Sequence, residues 1–177
     1  GAHLLADKRI LEEFKDPLVH ILRNSVDHGM ETPEERTKLK KNSMGTVSLQ
    51  FVNDGTHLMI TIEDDGCGLS REKISAQAEK LLGMSRAHLD AMHDDELFQL
   101  IFRQGFSTKG AITEVSGRGV GLSVCTEKVQ KLYGSIKGHQ RPSGGTKFAI
   151  RLPQTVASQR TLIVDYKGQI YAIPSHL

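Results

Sequence analysis

No stretch of this chain approaches the roughly 20 consecutive apolar residues that a membrane-spanning helix requires. No N-terminal segment reads as a signal peptide, and Gly1-Ala2-His3 has the character of an expression remnant. Cysteine is scarce: Cys67 and Cys125 alone make no disulfide framework, so a reduced, cytoplasmic protein is expected. Charge of one sign is lacking too. The formal net charge is +2 with the charges interspersed, which excludes the footprint of a nucleic-acid or membrane-surface binder. Internal repeats and low-complexity tracts are absent. What remains is a 177-residue chain with 38% hydrophobic residues, enough for one packed domain and a remainder.

The order of elements is legible from caps and periodicity. Asp7 caps a short helix through Phe14, and Asp16-Pro17 restarts a second one, with Leu18, Ile21, Leu22 and Val26 as its apolar stripe. Thr32-Pro33-Glu34-Glu35 is a capping box opening a short charged helix. Val47, Leu49 and Phe51 alternate with polar residues, as do Leu58, Ile60 and Ile62. With Asp54-Gly55 between them, they form a β-hairpin with one buried face. Ser70 caps a helix ending at Gly83, and Asp94 caps another. Val120, Val124, Val129 and Leu132 suit a helix stopped by Gly134. Phe148, Ile150 and Leu152 then line one face of a strand closed by Pro153. Helices alternate with antiparallel strand pairs, so the fold class is α+β. The expectation is a two-layer sandwich, its mainly antiparallel mixed sheet covered on one face by helices. Residues 154–160 read as a polar connector, and 161–174 as a second hairpin turning at Lys167-Gly168.

Three stretches can carry chemistry. His20, Asn24 and His28 are spaced four apart on one helical face. A solvated polar face is one reading. Zinc is disfavoured, because His20 and His28 lie two turns apart with no cysteine pair to complete the set. Magnesium held by the Asn24 amide is a third possibility. Asp64, Gly66 and Gly68 form D-x-G-x-G at a strand end. That is either a plain turn or a fixed carboxylate able to accept a hydrogen bond from an adenine amine, with glycines letting a flat ring approach. Gly117, Gly119 and Gly121 precede an apolar run, fitting either a flexible loop or backbone N–H groups at a helix start that bind an anion. Neither G-x-G-x-x-G after a strand nor a P-loop is present. Phe102 and Phe106 flank a basic residue, with Ser107, Thr108 and Lys109 able to reach phosphate oxygens.

Taken in order, these boxes and "GGTKFAI" resemble the GHKL ATP-binding superfamily, which groups gyrase, the heat-shock chaperone, histidine kinases and the mismatch-repair MutL protein. "DPLVHILRNSVDHGME", "FSTK" and "EVSGRGVGLSV" are similar to the catalytic domain of CheA-type chemotaxis histidine kinases. The resemblance implies ATP and Mg²⁺ as cofactors, with Asn24 and His20 as catalytic groups at the metal. It places Asp64 on the adenine amine, Gly66 and Gly68 beside the ring, and Thr146 in support of that pocket. Asp27, His28, Lys73, Phe106, Ser107, Thr108, Lys109, Gly117, Arg118, Gly119, Val120, Gly121 and Leu122 complete the implied nucleotide contacts. A mobile lid would span about 103–118. Gyrase-like ATPases carry a glutamate four residues before the asparagine; His20 stands there, implying slow hydrolysis and transfer to a presented histidine.

The resemblance further implies a catalytic domain at 1–153, followed at 154–177 by the truncated start of a coupling-protein-like β domain. On that reading the chain is an excised, monomeric piece of a homodimeric kinase. Its partners would be the kinase's own phosphoacceptor-histidine domain and, through the full-length protein, a coupling protein, the chemoreceptor array and a response regulator. No nucleic acid and no direct membrane insertion are implied.

Overall fold

A computed structural model describes residues 7–106, 121–155 and 161–174. Helix α1 (Lys8–Asn24) begins at Asp7, whose carboxylate accepts from the Arg9 N–H. It does not break at Asp16-Pro17, as the sequence suggested. Ile10, Phe14, Pro17 and Ile21 are all buried on one continuous stripe, and packing that stripe outweighs the hydrogen bond Pro17 cannot give. Asp16, no longer a cap, pairs with Lys128 at 2.8 Å. A π-helical turn (Ser25–Gly29) follows without interruption. Its wider turn changes the phase of the helix, so Ser25 is buried and Val26, expected in the stripe, is 58% exposed.

The capping box of α2 (Pro33–Lys38) is present, with Thr32 and Glu35 exchanging backbone-to-side-chain bonds. Strands β1 (Val47–Asn53) and β2 (His57–Asp64) form the expected hairpin. Leu58, Ile60 and Ile62 are buried, but Leu49 is 41% exposed, because β1 is the sheet edge and is covered only in part. Helix α3 (Arg71–Leu82) starts at Ser70 and stops at Gly83 in the left-handed region, as read. Two short helices follow: α4 (Arg86–Ala91), capped by Ser85, and α5 (Asp94–Gln99). The cap of α5 is His93 rather than Asp94, which is its first residue. A 3₁₀ turn (Leu100–Phe102) then enters the core.

Helix α6 (Leu122–Lys131) ends in a Schellman arrangement whose left-handed residue is Tyr133, at φ +59°, rather than glycine. Gly134 donates to the Val129 carbonyl at 2.9 Å. Its need for glycine is steric: a Cβ there would stand 2.5 Å from the Arg151 carbonyl and 2.6 Å from Leu152 Cδ2. Gly134→Ala is expected to lower stability by about 2–3 kcal/mol, toward the upper end of overpacking costs. Urea midpoints measure it; an unchanged midpoint would mean that α6 and β4 are not in contact there.

Strands β3 (Ser135–Gln140) and β4 (Thr146–Pro153) complete a sheet of order β1-β2-β4-β3, with all three pairings antiparallel. β3 escaped the sequence reading, because Ile136 is its one large apolar residue and Gly138 interrupts it. Helices lie on one face, where Ile60, Ile62, Phe148 and Ile150 meet Ile21, Ile74, Leu97 and Val129 in the core. Cys125 is buried, which pushes its thiol up to about 11, and Cys67 is exposed; both are free. No described helix is long and apolar enough to cross a membrane. Strands β5 (Thr161–Tyr166) and β6 (Gln169–Pro174) pair with each other around Lys167-Gly168, both at positive φ.

Candidate active site

Asp64 is the last residue of β2 and is 1% exposed. A buried carboxylate needs partners, and its Oδ1 has two: the N–H groups of Thr146 at 2.9 Å and Gly66 at 3.2 Å. No hydrogen bond reaches Oδ2 from any described residue. The oxygen lies beside Gly29, where a Cβ would come within 3.5 Å of it. One oxygen is thus fixed by the protein and the other is left as an acceptor. Thr146, expected to support an adenine pocket, is buried and holds Asp64 through its backbone N–H.

Glycines let the elements meet. The Cβ position of Gly66 lies 2.0 Å from the Gly29 carbonyl, which accepts from the Cys67 N–H at 2.7 Å. That of Gly68, at φ +74°, is filled by the Gln140 side chain, which accepts from the Leu69 N–H. Both glycines were expected to make room for a flat ring. In the structure, the Cβ position of Gly66 meets the Gly29 backbone and that of Gly68 meets the Gln140 side chain. Gly145, at φ +89°, brings the start of β4 onto the Asp64 carbonyl.

The end of α1 arrives at the same place, since Gly29 lies between Asp64 Oδ2 and the backbone carbonyl of Asn24. The Asn24 side chain is half-buried and makes no hydrogen bond among the described residues. His20, one turn earlier, is half-buried. Burial, with the Arg23 and His28 charges, pushes its imidazole below the usual histidine value, so it is neutral at pH 7. Asp27 and His28 are exposed on the π-helical turn.

The remaining expected residues are placed as follows. Lys73 is exposed in the first turn of α3; its backbone N–H donates to the Ser70 cap, and its ammonium makes no ion pair or hydrogen bond among the described residues. Phe106, expected at the nucleotide, is buried in the hydrophobic core at 7% exposure. Gly121 and Leu122 open α6, which has no side-chain cap, leaving its first N–H groups free of one. Ser107, Thr108, Lys109, Gly117, Arg118, Gly119 and Val120 lie outside the described residues, as does most of the expected lid.

A cluster that sequence reasoning missed stands behind Asp64. Arg36, on the helix read as merely charged, is 2% exposed. It pairs with Asp65 at 2.9 Å and Glu31 at 3.1 Å, and donates to the carbonyls of Asn42 and Asp65. Lys41 pairs with Glu31 at 2.6 Å and donates to the carbonyls of Asp65 and Gly66. Asp65 also accepts from the Thr46 N–H at 2.8 Å. Burial alone would raise the carboxyls of Glu31 and Asp65. The hydrogen bonds and cations outweigh it and hold both below the usual range. Charged residues scattered over 31–65 give no periodic signal, so only the tertiary structure reveals them.

Comparison with known proteins bears on this arrangement. Residues 14–156 match the model of the family described as histidine kinase-, DNA gyrase B-, and HSP90-like ATPase. The chain belongs to that family. It is 38% identical over 174 residues to the chemotaxis protein CheA of Bacillus subtilis, covering 98% of this chain and 26% of that protein. The sensor histidine kinase CheAY of Helicobacter pylori is 43% identical over 174 residues, with 98% and 22% covered. The chain therefore spans about a quarter of the length of these relatives. In fold it is similar to the catalytic domain of the histidine kinase ThkA, with a TM-score of 0.51 at 18% identity, covering 85% of this chain and 69% of that one. An ATPase domain of the histidine-kinase type, using a nucleotide, is what these likenesses and the α+β architecture establish together.

Proposed function

We propose that this chain binds Mg²⁺-ATP and transfers the γ-phosphate to a histidine on a separate phosphoacceptor domain. The observation that carries the reading is the Asp64 carboxylate, pinned through Oδ1 and open at Oδ2. A buried acceptor of that kind suits an exocyclic amine and rejects a carbonyl oxygen in its place. At the end of α1 it is Asn24 that fits a hard cation, through an uncommitted amide oxygen, with the His20 ring one turn away. Mg²⁺ bound there would neutralise charge on the β- and γ-phosphates. The uncapped N-terminus of α6 supports the same polyanion through backbone N–H groups and the helix dipole.

His20 also bears on the choice between water and a protein acceptor. No carboxylate stands at that position of α1 to activate water. Hydrolysis is accordingly slow. Residues 154–177 are the connector and first hairpin of a following β domain. Leu162, Ile163, Ile170 and Ile173 are 50–74% exposed, apolar surface that a further domain would bury. The phosphoacceptor belongs to the same kinase as CheA-type relatives imply, and the setting is cytoplasmic chemotaxis signalling through a coupling protein and a response regulator.

Incubation with γ-labelled ATP tests the proposal. The chain alone is expected to remain unlabelled, and an added phosphoacceptor domain to gain acid-labile phosphate. Asn24→Ala lowers that transfer on the order of a hundredfold, as loss of a metal-positioning group does, with adenosine affinity within about twofold. Stable label on the chain alone would refute the assignment of the acceptor to another domain. Equal loss of adenosine binding would show that Asn24 holds the fold rather than the metal.

A further inference from the structure

Three cationic side chains converge on three consecutive backbone carbonyls at the candidate site. Arg141, in the turn between β3 and β4, donates to the Asp64 carbonyl at 2.7 Å. Arg36, on α2, donates to the Asp65 carbonyl at 3.2 Å. Lys41 donates to the Asp65 carbonyl at 3.1 Å and the Gly66 carbonyl at 2.8 Å. None of them touches the Asp64 carboxylate, whose protein partners are neutral N–H groups. They therefore do not offset its charge; they hold its backbone.

The sequence explains why the backbone needs holding. A turn with glycines at 66 and 68 has wide conformational freedom, and ordering it costs entropy. The direction in which Asp64 presents Oδ2 depends on the peptide planes at 64–66. Each plane is fixed by where its carbonyl points, and charge-assisted bonds fix that more strongly than neutral ones. The cations reach the turn from two separate parts of the chain. Arg141 is further paired with Glu63, and Lys41 with Glu31, so the clamps are themselves held. We infer that Arg36, Lys41 and Arg141 are positioning residues for base recognition, setting the preference for an amine-bearing purine without contacting it.

The inference rests on the reading of Asp64 as the base acceptor, and the test separates the two. Calorimetry would compare ATP with inosine triphosphate, which carries a carbonyl in place of the C6 amine, on the wild-type chain and on Lys41→Met, Arg141→Gln, Lys41→Arg and Arg141→Lys. Lys41→Met and Arg141→Gln are each expected to weaken ATP about tenfold, the size of effect that outer partners have on a binding group. Inosine triphosphate should weaken less than about twofold, because it makes no bond that the clamp aligns. Lys41→Arg and Arg141→Lys should restore most of the preference. General loosening of the fold would instead weaken both nucleotides together, and that result, in variants shown to be folded by circular dichroism, overturns the inference. So does an undiminished preference in Lys41→Met and Arg141→Gln when Asp64→Asn abolishes it. A wild-type chain that binds both nucleotides alike overturns the reading of Asp64 itself.

Discussion

Asp64→Asn lowers ATP affinity on the order of tenfold to a hundredfold while leaving the chain folded. The fold survives because an asparagine carbonyl oxygen can still accept from the Thr146 and Gly66 N–H groups, as Oδ1 does now. The other position then carries an NH₂ group facing the adenine amine, two donors with no acceptor between them. A hydrogen bond to a charged group is worth about 1.5–3 kcal/mol, which sets the range. Inosine triphosphate should suffer less, since its C6 oxygen can accept from the new amide. Calorimetry on both nucleotides is the measurement. A folded variant with unchanged ATP affinity would remove Asp64 from base recognition.

Arg36→Met destabilises the chain by about 3 kcal/mol at pH 7, the lower end for breaking a buried ion pair. Methionine fills the volume but leaves Asp65 and the buried face of Glu31 without their guanidinium. Lys41 remains on Glu31, and Asp65 is partly exposed, which keeps the cost from rising further. The pH dependence has a definite sign. Glu31 and Asp65 are held below the usual carboxylate range, so their contribution is present above pH 4–5, roughly their unfolded values, and is lost as pH falls through the lowered folded ones. The variant lacks much of that contribution, so its deficit relative to wild type should shrink on acidification. Urea unfolding between neutral pH and about pH 3 would show it. A deficit independent of pH would mean that Arg36 acts by packing rather than by charge.

Much of the architecture was legible before any coordinates. Period-two alternation found β1, β2 and β4, and side-chain caps found the starts of α1, α2 and α3, because these signals lie within a few residues of what they govern. Failures occurred where a distant contact overrode the local preference. Pro17 argued for a break, yet the helix runs through it because Ile10, Phe14 and Ile21 share one buried stripe. Gly134 argued for a left-handed cap, yet Tyr133 takes that conformation and Gly134 answers to Arg151 and Leu152 on β4. β3 was missed because its strand character comes from pairing with β4 rather than from its own composition.

The site divides the same way. In the sequence, Asn24, Asp64 and the glycines are grouped through their order, which resembles that of a known family; the structure brings the end of the Asn24 helix next to Asp64. The sequence also placed Asp64 at a strand end. Only the tertiary structure decided how that carboxylate is held. Gly145 draws no notice as a single letter; it matters because the start of β4 must approach the Asp64 backbone more closely than a Cβ allows. Arg36, Lys41 and Arg141 look like ordinary surface charges in the sequence. Their roles arise because two parts of the chain, both remote in sequence from the turn at 64–66, bring cations within reach of its carbonyls. Hydrogen-bond satisfaction is a property of packed neighbours, so no local pattern records it.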